Sequence, residues 1–471
     1  MIKSATFKWN NFRIVFSIRE AFLLFFFLLI TLPGECQPDL TPNGEQPGPS
    51  SIPCEVQLFS DEIINFLHEE RDKLVAKGIL PEKKQTQRSL LTTMLEWPLR
   101  QVPGYSNPTY YALVNHVDLD PGSGLLDYNC GTKTYNNHHG NDISIFPFWW
   151  NMMNQNRVEV IAAAPGTILA KLDGEFDMSC TLTGDWNAVY IEHADGSMAW
   201  YGHLKEGTLT SKTPGMTVST GEYLGLVGSS GTSTNPHLHL EIRDSHDQVI
   251  EPFAGDCNST TMTSWWSSQR DYWVPAINAL YTHDMVPNID FCPETEKTNF
   301  QNNFSAGDSI RYGIYLSDQQ DGLLALFEVR NPNGDLVHNW SRNYTGDRTW
   351  NWWYYNYRLP DDAVPGLYTY TATYAGQVSQ HYFMVDCPKE LGLDFETVRE
   401  NIIYQATSSI VTYNEIIVYS AGGLSAFEAG DFIEINSPFT VTPGSEFEIR
   451  IGGCPTEFNP GSPPVLVQGK R

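Results

Sequence analysis

Three short histidine-containing stretches constrain this chain more than any other feature. Residues 138–142 contain the pattern His-x-Gly-x-Asp, residues 201–204 read Tyr-Gly-His-Leu, and residues 237–239 read His-x-His. On a β-strand, His237 and His239 point to the same face because side chains alternate with a period of two. Two imidazoles and one carboxylate form an open zinc site that keeps a position for water. The pattern therefore indicates a zinc site of hydrolytic type.

With the glycine- and serine-rich loop at 228–234, these stretches resemble the lysostaphin or LytM-type zinc endopeptidases, over roughly residues 115–252. The resemblance implies that one zinc ion per chain is held by His138, Asp142 and His239. It also implies a catalytic pair, His203 and His237, which would deprotonate water and stabilise the tetrahedral intermediate. The sequence does not decide which member of this pair is the general base.

Other residues near the motifs carry weaker expectations. His139 adjoins the first ligand, but the spacing to Gly140 favours His138 as the ligand and places His139 on another face. Tyr201 shares strand parity with His203, so it either positions substrate or is an ordinary strand aromatic. Some members of the family are latent because an upstream asparagine occupies the open zinc position, and Asn115 is placed to do this.

The resemblance implies a peptidase whose substrate is bacterial peptidoglycan. One alternative is a secreted proteinase for glycine-rich extracellular protein. Another is a non-catalytic protein for wall binding or adhesion on the same fold. A formal net charge of −26 argues against nucleic acid as a partner, because phosphate binding needs a basic surface.

The N-terminal 36 residues have the features of a secretory signal peptide. Basic residues precede an apolar run at 21–30 that is too short to span a bilayer. Glu35 stands where a lipid anchor on Cys36 would require a small residue. We therefore expect cleavage near Cys36 and release of a soluble monomer, extracellular or periplasmic, with no transmembrane span.

The chain is long enough for two to four domains, and its pattern predicts a mainly β protein. We expect an antiparallel β-sheet peptidase domain with a helical N-terminal cap, an immunoglobulin-like β-sandwich and a small C-terminal β unit. The predicted segments are a signal peptide (1–36), a leader and helical region that is a cap or an inhibitory pro-segment (37–110), the peptidase (111–257), a connecting segment with a closing helix at 265–281 (258–291), the sandwich (292–388), the C-terminal unit (395–457) and a tail (458–471). The C-terminal unit resembles a segment common in secreted Bacteroidetes proteins, where its role is structural.

Two aromatic clusters and the cysteines give further predictions about packing and disulfides. The insert Phe146–Met153 forms either a wall of the substrate groove or a buried plug, and the second is preferred. The run Trp350–Tyr357 is expected to alternate between two faces, as a sandwich core or as a stacking platform for carbohydrate. Export makes disulfides plausible, and the expected pairs are Cys130 with Cys180 and Cys292 with Cys387.

Overall fold

The structure is a computed structural model that describes residues 57–82 and 93–452, apart from 104, 106, 181–183, 291, 395–396, 400–401, 414, 420–423, 437 and 444. The predicted signal peptide and tail lie outside the described residues, as do Cys36, Cys54 and Cys454. Within the described part, no helix combines the length and apolar character needed to cross a membrane.

A large antiparallel sheet forms the framework of the N-terminal half. Its strands, in spatial order, are β2 (Tyr111–Asn115), β3 (Asn141–Ile145), β10 (His237–Arg243), β7 (Met198–Gly202), β6 (Ala188–Glu192), β5 (Gly166–Leu172) and β8 (Thr217–Val218), with β11 (Val249–Ile250) paired to β10. A smaller sheet contains β1 (Leu99–Gln101), β4 (Val158–Ile161) and β9 (Tyr223–Leu226). The predicted antiparallel sheet is confirmed, including the hairpin of β6 and β7.

The strand register brings the three histidine-containing stretches together. His239 on β10 lies opposite Asp142 on β3 and opposite Gly202 on β7. On the other face of β10, Leu238, Leu240 and Ile242 belong to the main hydrophobic core. The alternation of β10 therefore separates a histidine face from a core face, as the sequence predicts.

One helix covers part of the histidine face. Helix α1 (Gln57–Ala76) begins three residues before the predicted Ser60, and its apolar positions Ile63, Leu67 and Leu74 recur at helical spacing. They pack with Trp200, which lies opposite Glu241 and so belongs to the histidine face.

A buried ion pair fixes α1 to the sheet. Arg71 Nε donates to Glu192 Oε2 over 2.7 Å, and the two side chains are only 8% and 6% exposed. A second contact joins His68 Nε2 to Asp247 Oδ2 at 2.9 Å. Because breaking a buried ion pair costs about 3–5 kcal/mol, α1 is firmly docked on the sheet.

Two further sheets form the predicted β-sandwich. One contains β12 (Ala276–His283), β14 (Ser309–Gln319) and β17 (Arg348–Arg358); the other contains β13 (Asn303–Phe304), β19 (Gln377–Val385), β18 (Gly366–Tyr374), β15 (Leu324–Arg330) and β16 (Leu336–Asn343). The helix expected at 265–281 is wrong, because β12 occupies 276–283. A register shift between Ile277 and Ala279 interrupts the alternation of apolar residues, which hid the strand from sequence analysis.

The aromatic insert joins the large antiparallel sheet to the sandwich. Helix α2 (Trp149–Asn154) follows Phe148, and the ring of Trp149 meets that of Trp350 edge-on at 5.1 Å. Phe146, Trp350 and Trp352 belong to the same core as the apolar face of β10. The insert is therefore a buried plug, and the tryptophans of β17 are core residues rather than a carbohydrate platform.

The C-terminal unit is a parallel array of three coils. Each coil adds one strand to each of three sheets: β20 (Glu390–Leu393), β23 (Ser409–Thr412) and β26 (Phe432–Ile435); β21 (Thr397–Arg399), β24 (Ile416–Tyr419) and β27 (Phe439–Val441); β22 (Ile403–Ala406), β25 (Leu424–Ala429) and β28 (Glu446–Ile451). Residues such as Leu393, Ile410 and Phe427 fill the interior. Successive coils bury a continuous core between them, which is the construction of a β-solenoid.

The disulfide pairs differ from those expected. Cys130 bonds to Cys257, and Cys180 bonds to Cys292, with Cα atoms 5.1 and 5.2 Å apart. Cys387 is also disulfide-bonded, but not to Cys292. Both expected pairs are therefore wrong. Cys130 pairs with a cysteine 127 residues away at the end of its own predicted segment, and Cys180 pairs with a cysteine 112 residues away in the next one, so neither partner follows from local spacing.

Candidate metal centre

His138, Asp142 and His239 converge on one point. Asp142 lies near the start of β3, His239 lies in the middle of β10, and His138 is in the loop that precedes β3. His138 Nε2 is 3.4 Å from His239 Nδ1 and 3.2 Å from Asp142 Oδ1, and His239 Nδ1 is 2.9 Å from Asp142 Oδ1. All three side chains are buried. We refer to these three residues as the metal trio.

The metal trio has the geometry that a zinc ion requires. With bonds of about 2.0–2.2 Å to nitrogen and oxygen, tetrahedral ligands are separated by roughly 3.3 Å. The three observed separations, 3.4, 3.2 and 2.9 Å, lie close to that value. Three protein ligands leave one tetrahedral position for water or substrate. The residues present therefore fit zinc.

Each member of the metal trio is held from behind by a further polar contact. His138 Nδ1 donates to the backbone oxygen of His116 over 2.7 Å, so its Nε2 is left without a proton. Asn115 Nδ2 donates to Asp142 Oδ2 over 3.0 Å, which leaves Oδ1 for a metal. His239 Nε2 lies 3.4 Å from Glu241 Oε2 and leaves Nδ1 for a metal.

The electrostatics of the metal trio favour a positive charge at its centre. Burial opposes the charge on Asp142, but the nearby His138 and His237 hold the pKa of this carboxyl well below its usual range. Burial also disfavours protonation of His239, yet its bonds to Asp142 and Glu241 raise its pKa to about 9. A proton on His239 thus occupies the place of positive charge, and a bound cation would replace it.

His203 and His237 lie beside the metal trio as a pair. Their ring centroids are 4.5 Å apart, and His237 Nε2 lies 3.6 Å from Asp142 Oδ1. His203 Nδ1 donates to the oxygen of Ser230 over 2.6 Å, and His237 Nδ1 donates to the oxygen of Asn235 over 2.7 Å. Burial lowers the pKa of both imidazoles. Both rings are therefore neutral at pH 7, with the proton on Nδ1 and a free lone pair on Nε2.

The backbone at His203 explains why this residue joins the site. β7 ends at Gly202, and His203 has a left-handed φ of 59°. In a continuing strand, His203 would share the core face with Tyr201, whose hydroxyl accepts the N–H of Ala163 inside the main core. The left-handed turn instead directs His203 to the histidine face. The substrate-positioning hypothesis for Tyr201 is therefore wrong, because parity does not continue through this turn.

Two glycines of the motifs are required by close contacts. A Cβ on Gly140 would lie 2.6 Å from His239 Nε2, and a Cβ on Gly202 would lie 2.2 Å from the Trp186 ring. Trp186 in turn contacts the rings of His203 and His239, with centroids 5.0 and 5.7 Å away. The glycines therefore allow the backbone and Trp186 to approach the histidines closely.

Neither His139 nor Asn115 is one of the three residues that form the metal trio. Burial lowers the pKa of the His139 imidazole. Asn115 faces the outer oxygen of Asp142, where it supports the carboxylate. Sequence analysis missed the contributions of Trp186 and of the carbonyls of His116, Ser230 and Asn235. A backbone oxygen leaves no signal in the sequence, and Trp186 lies in a loop without a recognisable motif.

Comparison with known proteins identifies the central part of the chain. Residues 153–252 match the model of peptidase family M23. The chain contains a peptidase family M23 domain. His203, His237 and His239 fall inside the match, whereas His138 and Asp142 precede it and reach the M23 domain through β3.

The chain is similar to curated proteins whose names describe an enzyme and an activator. The chain is 43% identical over 92 residues to "DD-carboxypeptidase/endopeptidase Mpg" of Neisseria meningitidis serogroup B, which covers 19% of this chain and 20% of the relative. It is 37% identical over 94 residues to "Murein hydrolase activator EnvC" of Escherichia coli K12, covering 20% and 22%. The chain thus spans about a fifth of the length of the curated relatives it matches.

Among solved structures, the catalytic domain of lysostaphin from Staphylococcus simulans is 22% identical to the chain. The match covers 31% of this chain and 89% of the lysostaphin chain, with a TM-score of 0.19.

Proposed function

We propose that this chain is a secreted zinc metalloendopeptidase that hydrolyses peptide bonds in bacterial peptidoglycan. The observation that carries the proposal is the convergence of two imidazole nitrogens and one carboxylate oxygen, within 3.4 Å of one another, beside a second pair of buried histidines. Zinc is the proposed metal because its preferred ligands and distances fit this donor set. His138, Asp142 and His239 are its proposed ligands.

The proposed chemistry divides between the metal and the histidine pair. When bound, zinc acts as a Lewis acid that polarises a carbonyl and lowers the pKa of a coordinated water to about 7. His203 and His237 each keep a proton on Nδ1, bound to a backbone carbonyl, and direct Nε2 into the site. One Nε2 can accept the proton of the attacking water and later deliver it to the leaving amine. Ser230 and Asn235 hold the two rings in the tautomer that this transfer needs.

The substrate class is supported by the printed names of the relatives. A DD-carboxypeptidase/endopeptidase and a murein hydrolase activator are similar to this chain over 92 and 94 residues. The second name also raises a rival function, a non-catalytic protein that uses the same fold. Because all three proposed ligands and both proposed catalytic histidines are present and buried together, the donor set favours the enzyme. A proteinase for glycine-rich extracellular protein is the rival within the enzyme class.

The test combines metal analysis with digestion of two substrates. The purified chain is assayed for zinc by mass spectrometry and is incubated with peptidoglycan and, separately, with elastin. We expect one zinc ion per chain and new free amines in the peptidoglycan digest. His239→Ala should abolish both zinc binding and cleavage, and His203→Ala should abolish cleavage while zinc remains bound. His246→Ala is the matched control, because its side chain is 83% exposed on the turn after β10.

Three outcomes would contradict parts of the proposal. Cleavage of elastin but not of peptidoglycan would contradict the proposed substrate and favour a proteinase for glycine-rich extracellular protein. Zinc binding with no product from either digest would favour the non-catalytic rival. If the wild-type chain bound no zinc and His239→Ala behaved like wild type, the metalloenzyme proposal would fail.

A further inference from the structure

A buried carboxylate lies behind the metal trio. Glu251 follows β11 and is 0% exposed. Its Oε2 accepts the backbone N–H of Val117 over 2.9 Å and Asn141 Nδ2 over 3.1 Å, and its Oε1 accepts the N–H of Phe253 over 2.9 Å. Among the described residues, Glu251 makes no ion pair with lysine or arginine, and the closest basic group is His116 Nδ1 at 3.9 Å.

An uncompensated carboxylate in this position is costly. Burial of a carboxylate away from water disfavours the charged form, and burial raises the pKa of Glu251 to about 8. An apolar side chain would avoid that cost. The side chain is instead surrounded by three N–H donors, which come from two chain segments that flank the metal trio and from its own segment.

The contacts of Glu251 lead directly to a metal ligand. The N–H of Val117 and the C=O of His116 belong to one planar peptide unit, so an anchor on the N–H fixes the direction of the carbonyl. That carbonyl accepts the Nδ1 proton of His138 over 2.7 Å. Fixing this proton on Nδ1 keeps the lone pair of His138 Nε2 directed at Asp142 and His239.

The second contact of Glu251 reaches the residue next to another ligand. Asn141 immediately precedes Asp142 on β3, and its side chain points away from the metal trio towards Glu251. The same carboxylate thus holds the peptide behind His138 and the strand that carries Asp142. These two ligands come from segments that Glu251 connects.

We propose that Glu251 is a positioning residue that presets His138 and Asp142 for metal binding. The inference rests on the proposed function, since it assumes that the metal trio binds zinc. Glu251 does not touch the metal site itself; it acts through the peptide of residues 116–117 and through Asn141. Its role is to hold the ligands at their separations before the metal arrives.

The test measures metal affinity in variants of the full chain. Zinc affinity is determined by competition with a chromophoric chelator, and thermal unfolding is followed in chelator without metal. We expect Glu251→Ala to weaken zinc binding by about 10–100-fold, the usual effect of removing an outer-shell partner. Glu251→Gln should stay within about threefold of wild type, because its amide oxygen can still accept from Val117 and Asn141.

Glu296 provides a matched control. It too is a largely buried carboxyl whose pKa burial raises to about 8, and it accepts the N–H groups of Trp150 and Asn151, remote from the ligand contacts. Glu296→Ala should lower thermal stability but keep zinc affinity within about threefold of wild type. A purely structural role for Glu251 would instead make zinc affinity follow stability in both variants.

The outcomes separate this inference from the proposed function. Tight zinc binding by wild type with unchanged affinity in Glu251→Ala would overturn the positioning role alone. Loss of affinity in Glu296→Ala as large as in Glu251→Ala would also overturn it. If wild type binds no zinc, the proposed function fails first and the inference fails with it. Should Glu251→Ala fail to fold, Glu251→Asp carries the test, because its shorter side chain keeps the carboxyl group but cannot reach Val117, Asn141 and Phe253 together; unchanged zinc affinity in that variant would refute the proposal.

Discussion

Substitution of Gly140 by alanine tests how tightly the first motif packs on the third. The added Cβ would lie 2.6 Å from Nε2 and 2.7 Å from Cε1 of His239, and 2.8 Å from the backbone oxygen of Leu240. Two non-bonded heavy atoms in ordinary contact are roughly 3.5 Å apart, so either the imidazole or the strand must move by about 0.8 Å. The Leu240 oxygen belongs to the strand itself, so rotation of the ring alone does not relieve the overlap.

The magnitude follows from these distances. Overpacking of this kind costs typically 1–3 kcal/mol, so we expect Gly140→Ala to lower the free energy of unfolding by about 2 kcal/mol. Displacement of His239 Nδ1 by several tenths of an ångström should also weaken zinc binding by at least about tenfold, or 1.4 kcal/mol. Chemical denaturation in the absence of metal measures the first effect, and chelator competition measures the second.

Gly452 provides a control that distinguishes the steric overlap at Gly140 from the general effect of replacing a glycine by alanine. The Cβ of an alanine at position 452 would meet nothing closer than Glu428 Oε1 at 3.7 Å, an ordinary contact. Gly452→Ala should therefore leave both quantities near those of wild type. If Gly140→Ala matched wild type within about 0.5 kcal/mol in stability and twofold in zinc affinity, the close approach of the two motifs would be refuted.

Three further substitutions test other parts of the structure. Gly202→Ala should displace Trp186, whose ring the new Cβ would approach to 2.2 Å, and should lower the unfolding free energy by about 2–3 kcal/mol in urea titrations; wild-type stability would show that the ring does not lie there. Arg71→Ala leaves Glu192 buried without its partner and should cost about 3–5 kcal/mol, measured by the same titration, and a loss below 1 kcal/mol would mean that α1 is not docked as described. Since burial raises the pKa of Glu296 to about 8, the folded state binds a proton that the unfolded state has released, and the wild-type unfolding free energy should fall as pH rises from about 5 to 8. Glu296→Gln should reduce that slope, and identical slopes in the two proteins would contradict the assignment.

Sequence patterns anticipated the strands of the site and the residues that converge there. Strand alternation placed His237 and His239 on one face of β10 because that strand is regular along its whole length. Alternation failed at His203, where a left-handed residue ends the strand, and at β12, where a bulge shifts the register. At His203 a single backbone torsion, and in β12 a single extra residue, changes the face of the sheet to which the following side chains point. Neither change can be inferred from the types of the residues involved.

The disulfides and the supports of the site depend on tertiary structure. Cys130 and Cys257 are 127 residues apart, so their pairing follows from how the chain returns to the sheet rather than from local spacing. In the sequence, Glu251 is an acidic residue before a proline and belongs to no motif; only its burial and its three donors distinguish it. Residues that bind a metal directly can be recognised in the sequence by their residue type. A residue that acts through a backbone peptide can be recognised only from the three-dimensional structure.

The aromatic plug between the large antiparallel sheet and the sandwich has a thermodynamic consequence. Phe146 and Trp149 share one core with Trp350 and Trp352, so separating the two sheets would transfer several indole and phenyl rings into water. At roughly 25 cal/mol for each Å² of apolar surface, that exposure exceeds the usual stability of a single domain once a few such rings are involved. The sandwich is therefore a cooperative partner in unfolding, and any ligand that stabilises it also stabilises the arrangement of the histidines.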